Sequence, residues 1–290
     1  IVNYMVGPNI EWSGNSNNSQ WDFFASTDAN LNTSCVSLLE TASGNVVVFA
    51  AGDNFRLYCC TDLGPQTTTL VMNLEDTAGE AKAISTARMP DGGLPAVSVV
   101  VNSIGVYFAQ ATQADATAWG SRVDVFSGSA TRPGYLNYVN QGNTRVWVTS
   151  AAVSNFGYQN PVLLVSTTED GSAWGSAVPV RSTTTAVTVY SLMTQGTPLA
   201  VPLLWNSKPC FVQTTGDNIT EAALDAAHSV DWDPGQPLTS VLGAAVVNQG
   251  PAVLIQRASN NSLYYFQPLN AHDLVVTTDF NASYTALGPG

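Results

Sequence analysis

The chain has 290 residues, 45% of them apolar and only 10% charged, and 21 acids against nine bases give a formal net charge of −12. So acidic a surface argues against nucleic-acid or anionic-membrane partners, and no run of about 18 apolar residues is present to span a membrane as a helix. No Pro/Ser-rich or charged linker interrupts the sequence, so a single domain over 1–290 is expected.

From the N-terminus, Ile1–Val6 and Trp21–Ser26 read as strands. Beyond them a spacing emerges. Gly44, Gly93, Gly142, Gly196 and Gly250 each precede an apolar run, at steps of 49, 49, 54 and 54 residues. Within one step the pattern predicts strands at Ile84–Met89, Ala96–Val101, Gly105–Ala109 and Arg122–Phe126. In the next it predicts strands at Tyr135–Val139, Thr144–Thr149, Pro161–Ser166 and Ala177–Val180, with a longer turn from Asn155 to Asn160. The two steps agree locally, ATAWGSRVDV against GSAWGSAVPV. Thr220–His228 (TEAALDAAH) is the best helical stretch and is short. Thr, Val, Ser, Asn and Gly dominate the rest, which is strand-and-turn composition.

A repeat near fifty residues made of four short strands is the pattern of a β-propeller blade. The expectation is therefore an all-β chain forming one propeller of four-stranded blades. Five blades are internal, and a sixth combines Ala282–Leu287 with Ile1–Val6 and Trp21–Ser26; a five-bladed ring is the alternative.

Cys59 and Cys210 fall on equivalent third strands of distant blades, too far apart for a disulfide, and Cys35 lies on a first strand. The vicinal pair Cys59–Cys60 reads either as two small buried hydrophobes or as a redox or metal feature. With His228 and His272 as the only histidines and no CxxC, no metal site and no cofactor are expected.

Thr167–Thr168–Glu169–Asp170–Gly171–Ser172–Ala173–Trp174 resembles the Asp-box of sialidase-like propellers: a hydroxyl residue, an acid at the third place, Gly at the fifth and Trp at the eighth. Here Glu169 fills the acid place, and Thr112–Trp119 keeps only the Thr and the Trp, with Ala114 and Ala116 in the acid and Gly places. The resemblance implies a structural role for Thr167, Glu169, Asp170, Gly171, Trp174 and Trp119, with both tryptophans largely buried. Over roughly 84–180 the wider repeat is similar to propeller repeats of secreted bacterial proteins.

For function, Arg145 and Arg257 on second strands, with Trp147 and Trp205 at or near the ends of second strands, are the candidate ligand-binding residues. The plainer reading of the arginines is a solvated or tunnel-lining pair, and of the tryptophans, core packing. A sialidase-like glycoside hydrolase would need an arginine cluster; the nearest thing to that family's Arg-Ile/Leu-Pro stretch is Arg132–Pro133, and no catalytic residue is assigned. The expected function is non-catalytic recognition of a glycan or a partner protein. A structural subunit of a surface layer, filament or virion, as a homo-oligomer or polymer, is the second reading. An extracellular or surface location is expected from the few lysines, the Ile at position 1 and Asn-x-Ser/Thr triplets at Asn17, Asn32, Asn218, Asn260 and Asn281, each in a turn-like stretch.

Overall fold

A computed structural model describes the backbone of the strands named below and of the turns between residues 36 and 180. Side chains are described within 36–180 except at 53–54, 61–68, 78, 80, 91, 131–135 and 155–158. The chain forms two compact units, 1–131 with 170–173, and 132–169 with 174–290.

The described elements are strands in six antiparallel sheets, with one 3-10 turn at Glu75–Thr77. The first sheet holds β1 (Val2–Val6), β2 (Asn9–Ser13) and β3 (Asp22–Phe24). The second holds β4 (Leu31–Glu40), β5 (Val46–Gly52), β6 (Arg56–Cys60) and β7 (Thr68–Asn73). The third holds β8 (Ala81–Arg88), β9 (Pro95–Val101), β10 (Gly105–Gln110) and β11 (Val123–Ser127). The fourth is built from β12 (Ala130–Pro133), β13 (Asn137–Gln141), β14 (Thr144–Asn155), β15 (Tyr158–Val165) and β16 (Val178–Pro179), with β12 and β13 both paired to β14. The fifth runs β17 (Val189–Leu192), β18 (Ala200–Trp205), β19 (Lys208–Gln213), β20 (Ser229–Asp231), and the sixth β21 (Leu238–Val247), β22 (Gly250–Arg257), β23 (Leu263–Pro268), β24 (Leu274–Asp279). Each four-stranded sheet is a meander of sequence neighbours, the form expected from the repeat. No described helix is long and apolar enough to cross a membrane.

Burial explains the composition of these strands. All seven residues of β9, PAVSVVV, are buried, so both faces of this strand are covered and the run is continuously apolar instead of alternating. In the first unit Phe49, Leu57 and Cys59 from the second sheet pack with Val97, Val99, Val101, Tyr107 and Ala109 from the third. Val48, Ala50, Tyr58 and Cys60, the alternate positions, form a separate cluster with Val36 on the opposite face.

Polar contacts join the same two sheets. The Ser37 and Thr86 hydroxyls lie 2.8 Å apart, and Thr86 Oγ1 donates to the Leu38 carbonyl at 3.0 Å. Arg122, just before β11, donates to both carboxylate oxygens of Asp76 at 2.5 and 2.7 Å and to the Asn73 carbonyl at 2.8 Å. Its Nε donates to Asp124 at 3.1 Å, and its guanidinium lies 5.0 Å from the centre of the Tyr107 ring. The bidentate fork fixes orientation as well as charge, which a lysine could not do.

Several expectations change. Strand β2 had no counterpart in the sequence reading. The foreseen turn from Asn155 to Asn160 is replaced by a tight hairpin in which Asn155 opposes Tyr158, because the small and apolar residues Ser150–Ala152 continue β14 into the core. The evenly spaced glycines are not equivalent in register. The amide of Ala111 bonds the Pro95 carbonyl as that of Ser166 bonds the Trp147 carbonyl, so Pro95 and Trp147 hold the same place and Gly93 corresponds to Arg145 instead of Gly142. Trp147 therefore lies inside its strand, not at its end. Asn32 belongs to β4, where it opposes Ala51, and not to a turn. Ala282–Leu287, Thr220–His228 and the triplets at Asn17, Asn218, Asn260 and Asn281 lie outside the described residues.

The Arg122 contacts give an acid limb. Hydrogen bonding from Arg122 holds the Asp76 carboxyl below its usual value, so its stabilising contribution is present above the ordinary carboxylate range near pH 4 and is lost as pH falls through it. Asp76→Asn should shallow the acid-side decline of the melting temperature; an unchanged acid limb would show that the contact carries no linkage.

Candidate functional site

Two turns between third and fourth strands repeat one design. In the first, Thr117 donates its N–H (3.1 Å) and Oγ1 (2.6 Å) to Asp115 Oδ1; in the second, Ser172 does the same to Asp170 at 3.0 and 2.7 Å. Ala116 and Gly171 follow these acids at φ +62° and +69°. Trp119 and Trp174 then bridge to Ala111 and Ser166, and the next glycines donate to Gln110 and Val165, both at 2.9 Å. The acid that organises the turn is thus Asp115 or Asp170, at the fourth place of the motif, while Glu169, assigned that duty from the sequence, leaves it to its neighbour. Sequence inspection passed over Asp115 because the motif was aligned on the third place.

The tryptophans are half-buried, not largely buried as expected, because the turn sits at the end of its sheet where one side of the ring stays open to solvent. Trp119 meets Phe49 edge-on at 5.5 Å, and its Nε1 donates to the Ala116 carbonyl at 3.0 Å. Cys59 Sγ donates to the same carbonyl at 3.7 Å. Burial pushes the Cys59 thiol up to about 12, so it stays protonated and poorly nucleophilic. Cys59 and Cys60 are both buried and unbridged, on opposite faces of β6.

The second unit gathers a different set. The β13–β14 hairpin turns through Gly142 and Asn143, Gly142 with φ +60°, and its register pairs Asn140 with Arg145 and Tyr138 with Trp147. Directly opposed residues point to the same face, as do residues two apart, so Tyr138, Asn140, Arg145 and Trp147 share one face of the hairpin. Trp147 is fully buried and forms its floor, which makes it a core residue and removes it as a direct ligand contact. The half-buried Tyr138 ring lies 4.7 Å from it, tilted by 56°. Asn140 and Arg145 are exposed toward the tip.

Glu169 joins this face through Ser166. The Trp147 N–H donates to Ser166 Oγ, which donates to the Thr168 carbonyl, both at 2.8 Å, while the Ser166 N–H reaches the Trp147 carbonyl at 2.9 Å. Burial raises the Tyr138 phenol above its usual value; the Glu169 charge adds to this and the Arg145 charge opposes it. The face thus offers an aromatic ring, an amide, a cation and an anion, able to stack on an apolar ring and to exchange hydrogen bonds with hydroxyls. Sequence reading missed Tyr138 and Asn140, although counting back from the two-residue turn finds both. Thr167 is exposed beside this stretch. Trp205 ends β18 opposite Lys208, and Arg257 ends β22 opposite Leu238; their side chains are outside the description. Among the described residues no His/Cys/Asp/Glu group has the arrangement of a metal site.

No protein-family model and no curated protein matches the sequence. Solved structures do. An α-L-arabinanase of Penicillium chrysogenum complexed with arabinobiose is 13% identical, covering 83% of this chain and 79% of its own, at a TM-score of 0.56. BBS1N in complex with ARL6DN is 11% identical over 93% of this chain and 75% of its own, also at 0.56. A six-bladed lectin of Aleuria aurantia is 13% identical over 93% and 86% at a lower TM-score, 0.43. The first two likenesses place the chain among all-β folds of propeller type.

The repeated turn makes a stability prediction. Trp119→Ala should destabilise by about 2–3 kcal/mol, the lower part of the range for large core truncations because the ring is half-exposed, and Asp115→Ala by about 1 kcal/mol. Urea denaturation measures both; two values near zero would remove the turn from the set of stabilising elements.

Proposed function

We propose that the chain is a non-catalytic, extracellular propeller that recognises a glycan at the face formed by Tyr138, Asn140, Arg145 and Glu169. One observation carries this reading: the set is a departure from the repeat. The corresponding places in the preceding sheet hold Arg88 for Tyr138, Pro95 for Trp147, Gly93 for Arg145 and Ala114 for Glu169. Structural demands are common to both sheets, so what only one carries is free to serve a ligand. A half-buried tyrosine with hydrogen-bonding groups around it suits a pyranose, which has an apolar face and a rim of hydroxyls. The arabinanase complexed with arabinobiose is an example of a related fold that holds a saccharide.

The non-catalytic part of the proposal draws support from Arg122, whose guanidinium is committed to Asp76, Asp124 and Tyr107 and so is not presented to a substrate. The Asp-anchored turns support kinship with the Asp-box propellers. The six sheets then count as six blades, the three-stranded N-terminal sheet being completed by residues 282–287 beside β1.

A glycan array probed with the native protein should give discrete hits, and Tyr138→Ala should weaken them about tenfold or more, roughly 1.4 kcal/mol, with little change in melting temperature. Hits that survive Tyr138→Ala, or turnover of a glycan, would overturn the assignment. Deleting residues 1–8, which removes β1, should lower the melting temperature sharply by exposing strand edges, and an unchanged melt would remove the composite blade.

A further inference from the structure

Glu169 is held where a carboxylate matters. The three hydrogen bonds through Ser166 fasten Thr168, the residue before Glu169, to Trp147, the strand position opposite Tyr138. Arg145 lies two residues before Trp147 on the same face. A cation and an anion therefore flank one half-buried tyrosine, and their charges oppose each other there. The formal charge of the whole chain, −12, adds a repulsive background for anions. In the preceding sheet Ala114 stands where Glu169 does, so the turn does not need an acid at this place.

We propose that Glu169 makes this face selective for uncharged saccharides and excludes carboxylated or sulfated ones. The proposal rests on the glycan-binding reading of the same face. An uncharged sugar uses both charges at once: its hydroxyls donate to the Glu169 carboxylate and accept from the Arg145 guanidinium, while the ring covers Tyr138 and the Asn140 amide offers one donor and one acceptor. A sialylated or sulfated ligand that aims its anion at Arg145 brings it beside Glu169, and such like-charge juxtaposition is a strong means of rejecting wrong partners.

The test is a glycan array carrying neutral, sialylated and sulfated glycans, read at low and at physiological salt. The probes are the native protein, Glu169→Gln, Tyr138→Ala and Arg145→Ala, each checked by its thermal melt. Native hits should be neutral and nearly insensitive to salt. Glu169→Gln should gain anionic glycans by about tenfold at low salt, an advantage that salt erodes. Native hits confined to anionic glycans, weakened by salt and lost in Arg145→Ala, would overturn the selectivity and leave the site standing. Neutral hits with no anionic gain in Glu169→Gln would remove Glu169 as the selecting residue. An array without hits, or with hits indifferent to both Tyr138→Ala and Arg145→Ala, would overturn the underlying reading itself.

Discussion

The face-to-face packing of one four-stranded sheet on the next governs the first unit, and its clearest sign is β9, buried along its whole length. A strand covered on both faces has no side on which to place charge. The middle strands are accordingly Val- and Ala-rich, and polar chemistry is displaced to turns and strand ends. The low charged fraction follows from the same geometry, since a chain made largely of sheets covered on both faces leaves little surface for charges. Arg122 illustrates the boundary. It reaches from the start of β11 to the end of the second sheet, where its guanidinium finds two carboxylates and an aromatic face.

A stacked arrangement also needs each sheet's third strand to return to its fourth without leaving backbone groups unsatisfied. The two Asp-anchored turns solve this with different residues at the strained place, Ala116 in one and Gly171 in the other. Alanine at positive φ carries a conformational cost of about 1–2 kcal/mol. Here its methyl is fully buried in the core shared by the second and third sheets, and its carbonyl serves Trp119 and Cys59. Packing thus offsets strain in the first turn, whereas glycine avoids the strain in the second.

Against this repeated framework, the β13–β14 hairpin stands apart. A buried tryptophan supports a half-buried tyrosine, and a buried serine carries the neighbouring turn onto the same strand. The acid thereby reaches a face built by a hairpin more than twenty residues earlier in sequence. Rigid strands hold the floor and the arginine, while the turn supplies the carboxylate. This division suits recognition because the ordering entropy of the site is met by the fold before any ligand arrives.

The strand pattern of the third sheet was legible in the sequence because it is local: alternation and apolar runs fix strands, and Gly, Asn and Asp fix turns, so β8 to β11 fall within a few residues of their expected places. The equivalence of Trp119 and Trp174 was legible for the same reason. Register across repeats was not. Evenly spaced glycines mark turns, but pairing is set by which carbonyl receives which amide, and that moved Trp147 to the interior of its strand and into the core. Nor could the sequence decide which acid anchors the turn and which faces Tyr138, since Glu169 and Asp170 are adjacent and chemically alike. Only the tertiary structure separates them: Asp170 bends back on the turn's own amide, while the bonds through Ser166 carry Glu169 to a strand far away in sequence.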